Sequence, residues 1–276
     1  MKYLRSLDIV DVDNIGLEGH SMGGWASLVA TAVIPNGYKS FMMASSSTET
    51  LGTPKGTPTF PRNLGIIFSK YDEFSALMWG VQIPTDIVKT DKLKAIFDTT
   101  EDVEVGKLYG SIEAGTARKL YQPPTIHPRV HFTKEGIGDA VEWMQMTLKG
   151  GSDLPPSDQI WQYKEFFTFV AMIGMVILII AVGGYLLKTD YFQDLQEEPA
   201  PQKSLSGWGW WVGAVLMVLI PIPVYLWAWA IFYNHQGFAK ASFIWPEQLT
   251  NIIMCWALGV AIISIILFLL WHFLIN

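Results

Sequence analysis

Cysteine is almost missing from this chain of 276 residues. The single one, Cys255, can close no intramolecular disulfide and cannot build a cysteine-based zinc site, and it leaves the redox compartment undetermined. Charge is sparse as well, at 16% of residues, and the net charge of −6 comes with no basic cluster, so nucleic acid finds no electrostatic footprint. Residues 1–8 lack the apolar core of a cleavable signal peptide. No internal repeat appears at a solenoid period. Three stretches lack charge altogether: 166–187, 208–233 and 251–271. Each is long enough, at about 1.5 Å per helical residue, to cross a hydrocarbon core of about 30 Å. They also lack the buried ionisable groups that mark a transport path, which favours an anchor over a transporter.

What is present divides the chain. The charges crowd into the first 165 positions, which predicts a water-facing domain over 1–148, a linker over 149–165 containing Gly150, Gly151, Pro155 and Pro156, and a membrane region over 166–276 with spans near 166–187, 208–233 and 251–273. Trp208, Trp210, Trp211, Trp227, Trp229, Trp245 and Trp271 lie near span ends, where indole suits the headgroup boundary. Pro221 and Pro223 predict a kink in the second span, since each removes a backbone donor.

Within the first part, residues 15–26 read I-G-L-E-G-H-S-M-G-G-W-A. The pentapeptide Gly19-His20-Ser21-Met22-Gly23 is G-x-S-x-G, in which a serine sits on a cramped strand-to-helix turn while flanking glycines leave room for the backbone. The context agrees: 14–18 reads as a buried strand and 25–33 as an apolar helix ending near Pro35-Asn36-Gly37. Further strands are expected at 38–45, 64–69 and 118–122, a helix around 90–97, and a terminal amphipathic helix over 136–148 carrying Ile137, Ala140, Val141, Met144 and Leu148 on its apolar stripe. This alternation predicts an α/β class with a parallel sheet.

Residues 15–148 resemble the C-terminal half of an α/β-hydrolase. The resemblance rests on I-G-L-E-G-H-S-M-G-G at 15–24, L-G-I-I-F-S-K-Y-D-E-F at 64–74 and I-H-P-R-V-H-F-T-K-E-G-I-G-D-A-V-E-W at 126–143. With its spans appended, the chain is similar to membrane-embedded bacterial α/β-hydrolases that carry a helical bundle after the catalytic domain. The resemblance implies a serine hydrolase that cleaves an ester, thioester or amide through an acyl-enzyme, with no cofactor or metal. Its partners would be a small-molecule, lipid or peptide acyl substrate and the bilayer. Ser21 would be the nucleophile and the backbone N–H of Met22 an oxyanion donor. The acid would be Asp72, just past a predicted strand, with Glu73 as alternate. The base would be His127, preferred over His131 because it lies closer to the strand end. His20 is expected to pack under the turn.

The family places four strands before the elbow strand, whereas 14 residues precede Ile15 here. The chain is therefore expected to be part of a longer protein, a half-sheet of about four parallel strands with little activity alone. The alternative is a compact hydrolase completed by another subunit. A different class of function is also open, a catalytically silent hydrolase-like domain that binds or regulates for a membrane transport module. Positive charges hardly decide orientation: Lys188 and Lys203 lie between the first two spans, against Lys149, Lys164 and Lys240. The bacterial resemblance points to an outward-facing catalytic domain in the cell membrane.

Overall fold

Short segments bounded by turn residues become the strands of one sheet, and their register positions the loops around it. The computed structural model describes residues 1–196, 207–233, 242–243 and 248–274; Lys203, Lys240 and Trp245, singled out above, lie outside them. The chain divides into two compact units, Met1–Ile180 and Ala181–Asn276.

The first unit opens with a single helical turn, α1 (Lys2–Arg5). Strand β1 (Gly16–His20) then leads into helix α2 (Met22–Val33), and β2 (Ser40–Ala44) and β3 (Leu64–Ile67) follow. A short helix α3 (Ser75–Trp79), a 3-10 turn at Pro84–Lys89 and helix α4 (Asp91–Phe97) lead to β4 (Leu108–Tyr109) and β5 (Arg118–Tyr121). A 3-10 turn at His127–Phe132 precedes α5 (Lys134–Thr147). The strand order is β1-β2-β3-β5-β4, with β1, β2, β3 and β5 parallel and β4 antiparallel to β5. The parallel sheet expected from the sequence is therefore present, with an antiparallel two-residue edge strand that the sequence did not signal.

Both faces of the sheet centre are covered, so β2 and β3 read as continuous apolar runs rather than as alternation, whereas β1 at the edge keeps Glu18 exposed. Phe41, Met43, Leu64 and Ile66 pack with Leu28 of α2 and Leu93 and Ile96 of α4. Met42, Ala44, Ile67 and Tyr121 pack with Ala140 and Trp143 of α5 on the other face. The face α5 buries differs from the stripe read in the sequence. Gly136, Ala140, Trp143 and Thr147 turn inward, while Val141 is exposed. The fully buried Trp143 decides the rotation, because an indole carries far more apolar area than Ile137 or Val141. Thr147 is accommodated because its hydroxyl donates to the Trp143 carbonyl and can accept from the Ser40 hydroxyl, each at 2.7 Å. The helix starts at Thr133, whose Oγ1 accepts the Gly136 N–H at 3.1 Å.

Strand β5 is the least expected part of the core, since Arg118 and Lys119 are both buried. Arg118 reaches three backbone carbonyls, Ala117 at 2.8 Å, Thr57 at 2.9 Å and Ile96 at 3.3 Å. Ile96 lies in the last turn of α4, where free carbonyls and the helix dipole favour a cation. Lys119 pairs with Glu142 at 3.0 Å and lies over the Tyr121 ring.

Helix α6 (Trp161–Leu186) buries no residue, and it starts inside the stretch read as linker. Helix α7 (Trp208–Leu219) stops before Ile220, and α8 (Pro221–Tyr233) starts at the first of the two prolines, so the expected kink is a break between two helices. Helix α9 (Gln248–Leu274) packs on α8, with Ala228, Ile252 and Cys255 buried between them and Trp256 Nε1 donating to the Pro221 carbonyl at 3.0 Å. Three helical stretches, Trp161–Leu186, Trp208–Ala230 and Thr250–Leu274, are long and apolar enough to cross a membrane.

Candidate active site

The register aligns His20 with Ala44, Ala44 with Ile67, and Ile67 with Tyr121, so the four parallel strands end level. The loops leaving that edge carry Ser21, Asp72 and His127, and ligands of open α/β sheets bind at such carboxyl ends.

Ser21 follows β1 directly, and its backbone lies at φ 54° and ψ −120°, a conformation that costs a non-glycine residue of order 1–3 kcal/mol. Contacts on both sides hold it there. Its N–H donates to the Ala44 carbonyl at 2.9 Å, and its carbonyl accepts from Ser46 Oγ at 2.8 Å as well as from the Gly24 and Trp25 amides at 3.0 and 3.3 Å. The turn is tight because β1 and α2 nearly touch: a Cβ on Gly19 would sit 2.2 Å from the Gly23 carbonyl oxygen, and one on Gly24 would sit 2.5 Å from Ser46 Cβ. Gly23 itself has open space where a side chain would go. The packing requirement thus falls on Gly19 and Gly24, where the motif had suggested Gly19 and Gly23.

His127 Nε2 lies 2.9 Å from Ser21 Oγ, and its Nδ1 lies 3.0 Å from each carboxylate oxygen of Asp72. An ionised carboxylate only accepts, so the ring proton belongs on Nδ1, and the bare Nε2 then accepts the serine O–H. Asp72 is almost fully buried, and its Oδ1 also accepts the Phe74 N–H at 3.0 Å. The edge of the Phe74 ring meets the His127 imidazole at a centroid distance of 4.6 Å.

Glu73 does not approach the imidazole in this way. Its Oε2 accepts the backbone N–H of His127 at 2.9 Å. The carbonyl of the same residue accepts from His20 Nε2 at 2.9 Å, so the His127 peptide is held from both sides by neighbours of the other two residues. Burial lowers the His20 pKa, partly offset by this hydrogen bond, and because a carbonyl only accepts, His20 Nε2 carries a proton. His131 is exposed, meets the His20 ring edge-on at a centroid distance of 4.5 Å and lies tilted against Phe132 at 4.3 Å, whereas the imidazole hydrogen-bonded to Ser21 Oγ is that of His127. Met22 opens α2, where the first amides of a helix have no intrahelical acceptor.

Sequence reasoning missed the buried hydroxyl-rich turn after β2. Ser45, Ser46, Ser47 and Thr48 are all fully buried, an unusual density of hydroxyls for a core. Ser46 Oγ ties the nucleophile turn, while Ser47 Oγ and Thr50 Oγ1 share a hydrogen bond at 2.6 Å. The only signal was the run S-S-S-T itself, which polar loops share. No group of three or more histidine, cysteine or carboxylate side chains that could hold a metal occurs among the described residues. No protein-family model, curated protein or solved structure matches the chain, so the reading of the site rests on its own geometry.

Proposed function

We propose that this chain is a membrane-tethered serine hydrolase of the α/β-hydrolase type, cleaving an ester, thioester or amide through an acyl-enzyme. One observation carries the reading, the continuous line Ser21 Oγ, His127 Nε2, His127 Nδ1 and Asp72 carboxylate at 2.9 and 3.0 Å. A serine hydroxyl is nearly unreactive without an adjacent base. In the proposed sequence Ser21 Oγ bonds to the acyl carbon while its proton passes to His127 Nε2. The bond to the leaving group then breaks, and that proton goes to the departing oxygen, sulfur or nitrogen. Water repeats the cycle on the acyl-enzyme, releasing the acid and restoring Ser21. Asp72 holds the tautomer and balances the positive imidazole, and the Met22 N–H at the start of α2 faces the developing oxyanion.

The test is covalent. A fluorophosphonate should label the detergent-solubilised chain at Ser21, and neither Ser21→Ala nor His127→Ala should label. An unlabelled wild-type chain that is folded would leave the silent regulatory domain as the better reading. We also read the protein as an integral component of a bacterial cell membrane with the catalytic domain outside; protection of that domain in protease-treated spheroplasts would reverse the orientation.

A further inference from the structure

The segments that carry the three site residues also carry exposed apolar side chains. Met22 follows Ser21, Tyr71 and Phe74 bracket Asp72, Leu77 lies one turn further on in α3, Ile126 precedes His127, and Phe132 closes the same 3-10 turn. All six lie on segments that leave the sheet at its carboxyl edge, and burying each would remove substantial apolar area from water. Scattered exposed apolar residues are ordinary, but a cluster of them around a polar site marks a contact surface. Two exposed cations, Lys70 and Arg129, stand beside them.

The path of the chain indicates what meets this surface. Helix α5 ends next to β1, where the Lys149 N–H donates to Asn14 Oδ1 at 2.9 Å, at the sheet edge opposite the site. The following segment returns along α5. Gln145 Nε2 donates to the Ser152 and Leu154 carbonyls, and Gln159 Nε2 donates at 2.9 Å to the carbonyl of Lys134, the first residue of α5. Trp161 then starts α6, its Nε1 bonded to Gln159 Oε1 at 2.9 Å. The first membrane-length helix therefore begins at the end of the domain where the His127 turn joins α5. Its opening residues Trp161, Tyr163 and Lys164 are of the kind found at a headgroup boundary, and its charge-free run starts at Phe166.

We propose that the apolar rim around Ser21 docks on the bilayer that anchors the chain, and that the substrate is an amphiphilic acyl ester held in that bilayer. The substrate part rests on the serine hydrolase reading; the docking part does not. Phe74, Leu77, Ile126 and Phe132 enter the headgroup and upper acyl region, and Lys70 and Arg129 meet anionic headgroups, each such contact adding to surface affinity. The ester carbonyl of a lipid rises to Ser21 while its chains stay among the rim residues.

The test uses the full chain in vesicles of phosphatidylcholine with one-fifth phosphatidylglycerol. In a Cys255→Ala background, spin labels are placed singly through Leu77→Cys and Phe132→Cys, with Ile9→Cys, exposed on the segment before β1, as control. Labels at 77 and 132 are expected to be accessible to oxygen and shielded from a water-soluble nickel chelate, and the label at 9 to show the reverse. Water-like accessibility at both 77 and 132 overturns the docking whatever the activity. In parallel, Leu77→Asp/Phe132→Asp should lower cleavage of a vesicle-borne long-chain ester about a hundredfold and leave a short water-soluble ester unchanged, a loss of the size expected for two displaced apolar side chains. Equal loss on both substrates overturns the lipid substrate. Lipid-like labels in a wild-type chain that cleaves neither ester would overturn the hydrolase reading and the substrate while sustaining the docking.

Discussion

Two adjacent carboxylates, Asp72 and Glu73, both touch His127, and their geometry assigns them very different weights. Asp72 is buried and meets the imidazole with both oxygens at 3.0 Å, so replacing it with asparagine removes the charge that balances the protonated ring and also offers the wrong tautomer partner. A loss of about 10³ to 10⁴ in the rate of Ser21 modification is expected from the behaviour of such triads. Glu73 is exposed and meets only the backbone N–H of His127 at 2.9 Å. Water can replace it there, so Glu73→Ala should cost about 1 kcal/mol in the placement of the turn, a five- to tenfold loss. Glu73→Gln, which keeps an acceptor oxygen without the charge, should stay within about threefold of wild type. The assay is the second-order rate of fluorophosphonate labelling on the solubilised chain, with thermal stability followed for each variant. A Glu73→Ala loss as large as that of Asp72→Asn would show that the assignment of roles around His127 is wrong.

Three further outcomes follow from packing and electrostatics. Gly23→Ala should be nearly silent in both labelling and melting temperature. Gly24→Ala should destabilise by about 1–3 kcal/mol, and Gly19→Ala by more because it meets backbone, as thermal unfolding would read. Arg118→Leu leaves the carbonyls of Ile96, Ala117 and Thr57 without that donor inside the core, and a loss of about 2–4 kcal/mol is expected by denaturant titration. Asp139 is pushed up to about 7 by burial and then by Glu142, with Lys119 opposing. Its native state holds a proton that the unfolded chain releases at lower pH, so its contribution to stability falls as pH rises from about 4 to 7. Asp139→Asn should therefore raise the melting temperature by a few degrees at pH 8 and hardly at pH 4, and equal shifts at both would refute the assignment.

The sequence by itself determined those features that local chemistry enforces. Three charge-free runs are long and apolar enough to cross a membrane, and in lipid a single segment satisfies its own backbone groups only as a helix. The glycines around Ser21 marked β1 and its strand-to-helix turn, and apolar runs between breakers placed β2 and β3. The resemblance to α/β-hydrolases, rather than any local pattern, pointed to Asp72 over Glu73 and to His127 over His131, and these are the two side chains that lie in line with Ser21. What the sequence left open was decided by contacts between distant residues. Periodicity put Ile137 and Val141 of α5 on its apolar stripe, and the volume of Trp143 rotated the helix away from them. Arg118 and Lys119 gave no sign of entering a core, because the carbonyls and the Glu142 carboxylate that accept them come from elements 20 to 60 residues away. Gly24 looked like an ordinary helix residue until Ser46 came to lie against it. The separation of Asp72 from Glu73, and of His127 from His131, likewise depended on which side chain the crossing of separate loops turned toward Ser21, and adjacent residues in one segment carry no record of that direction.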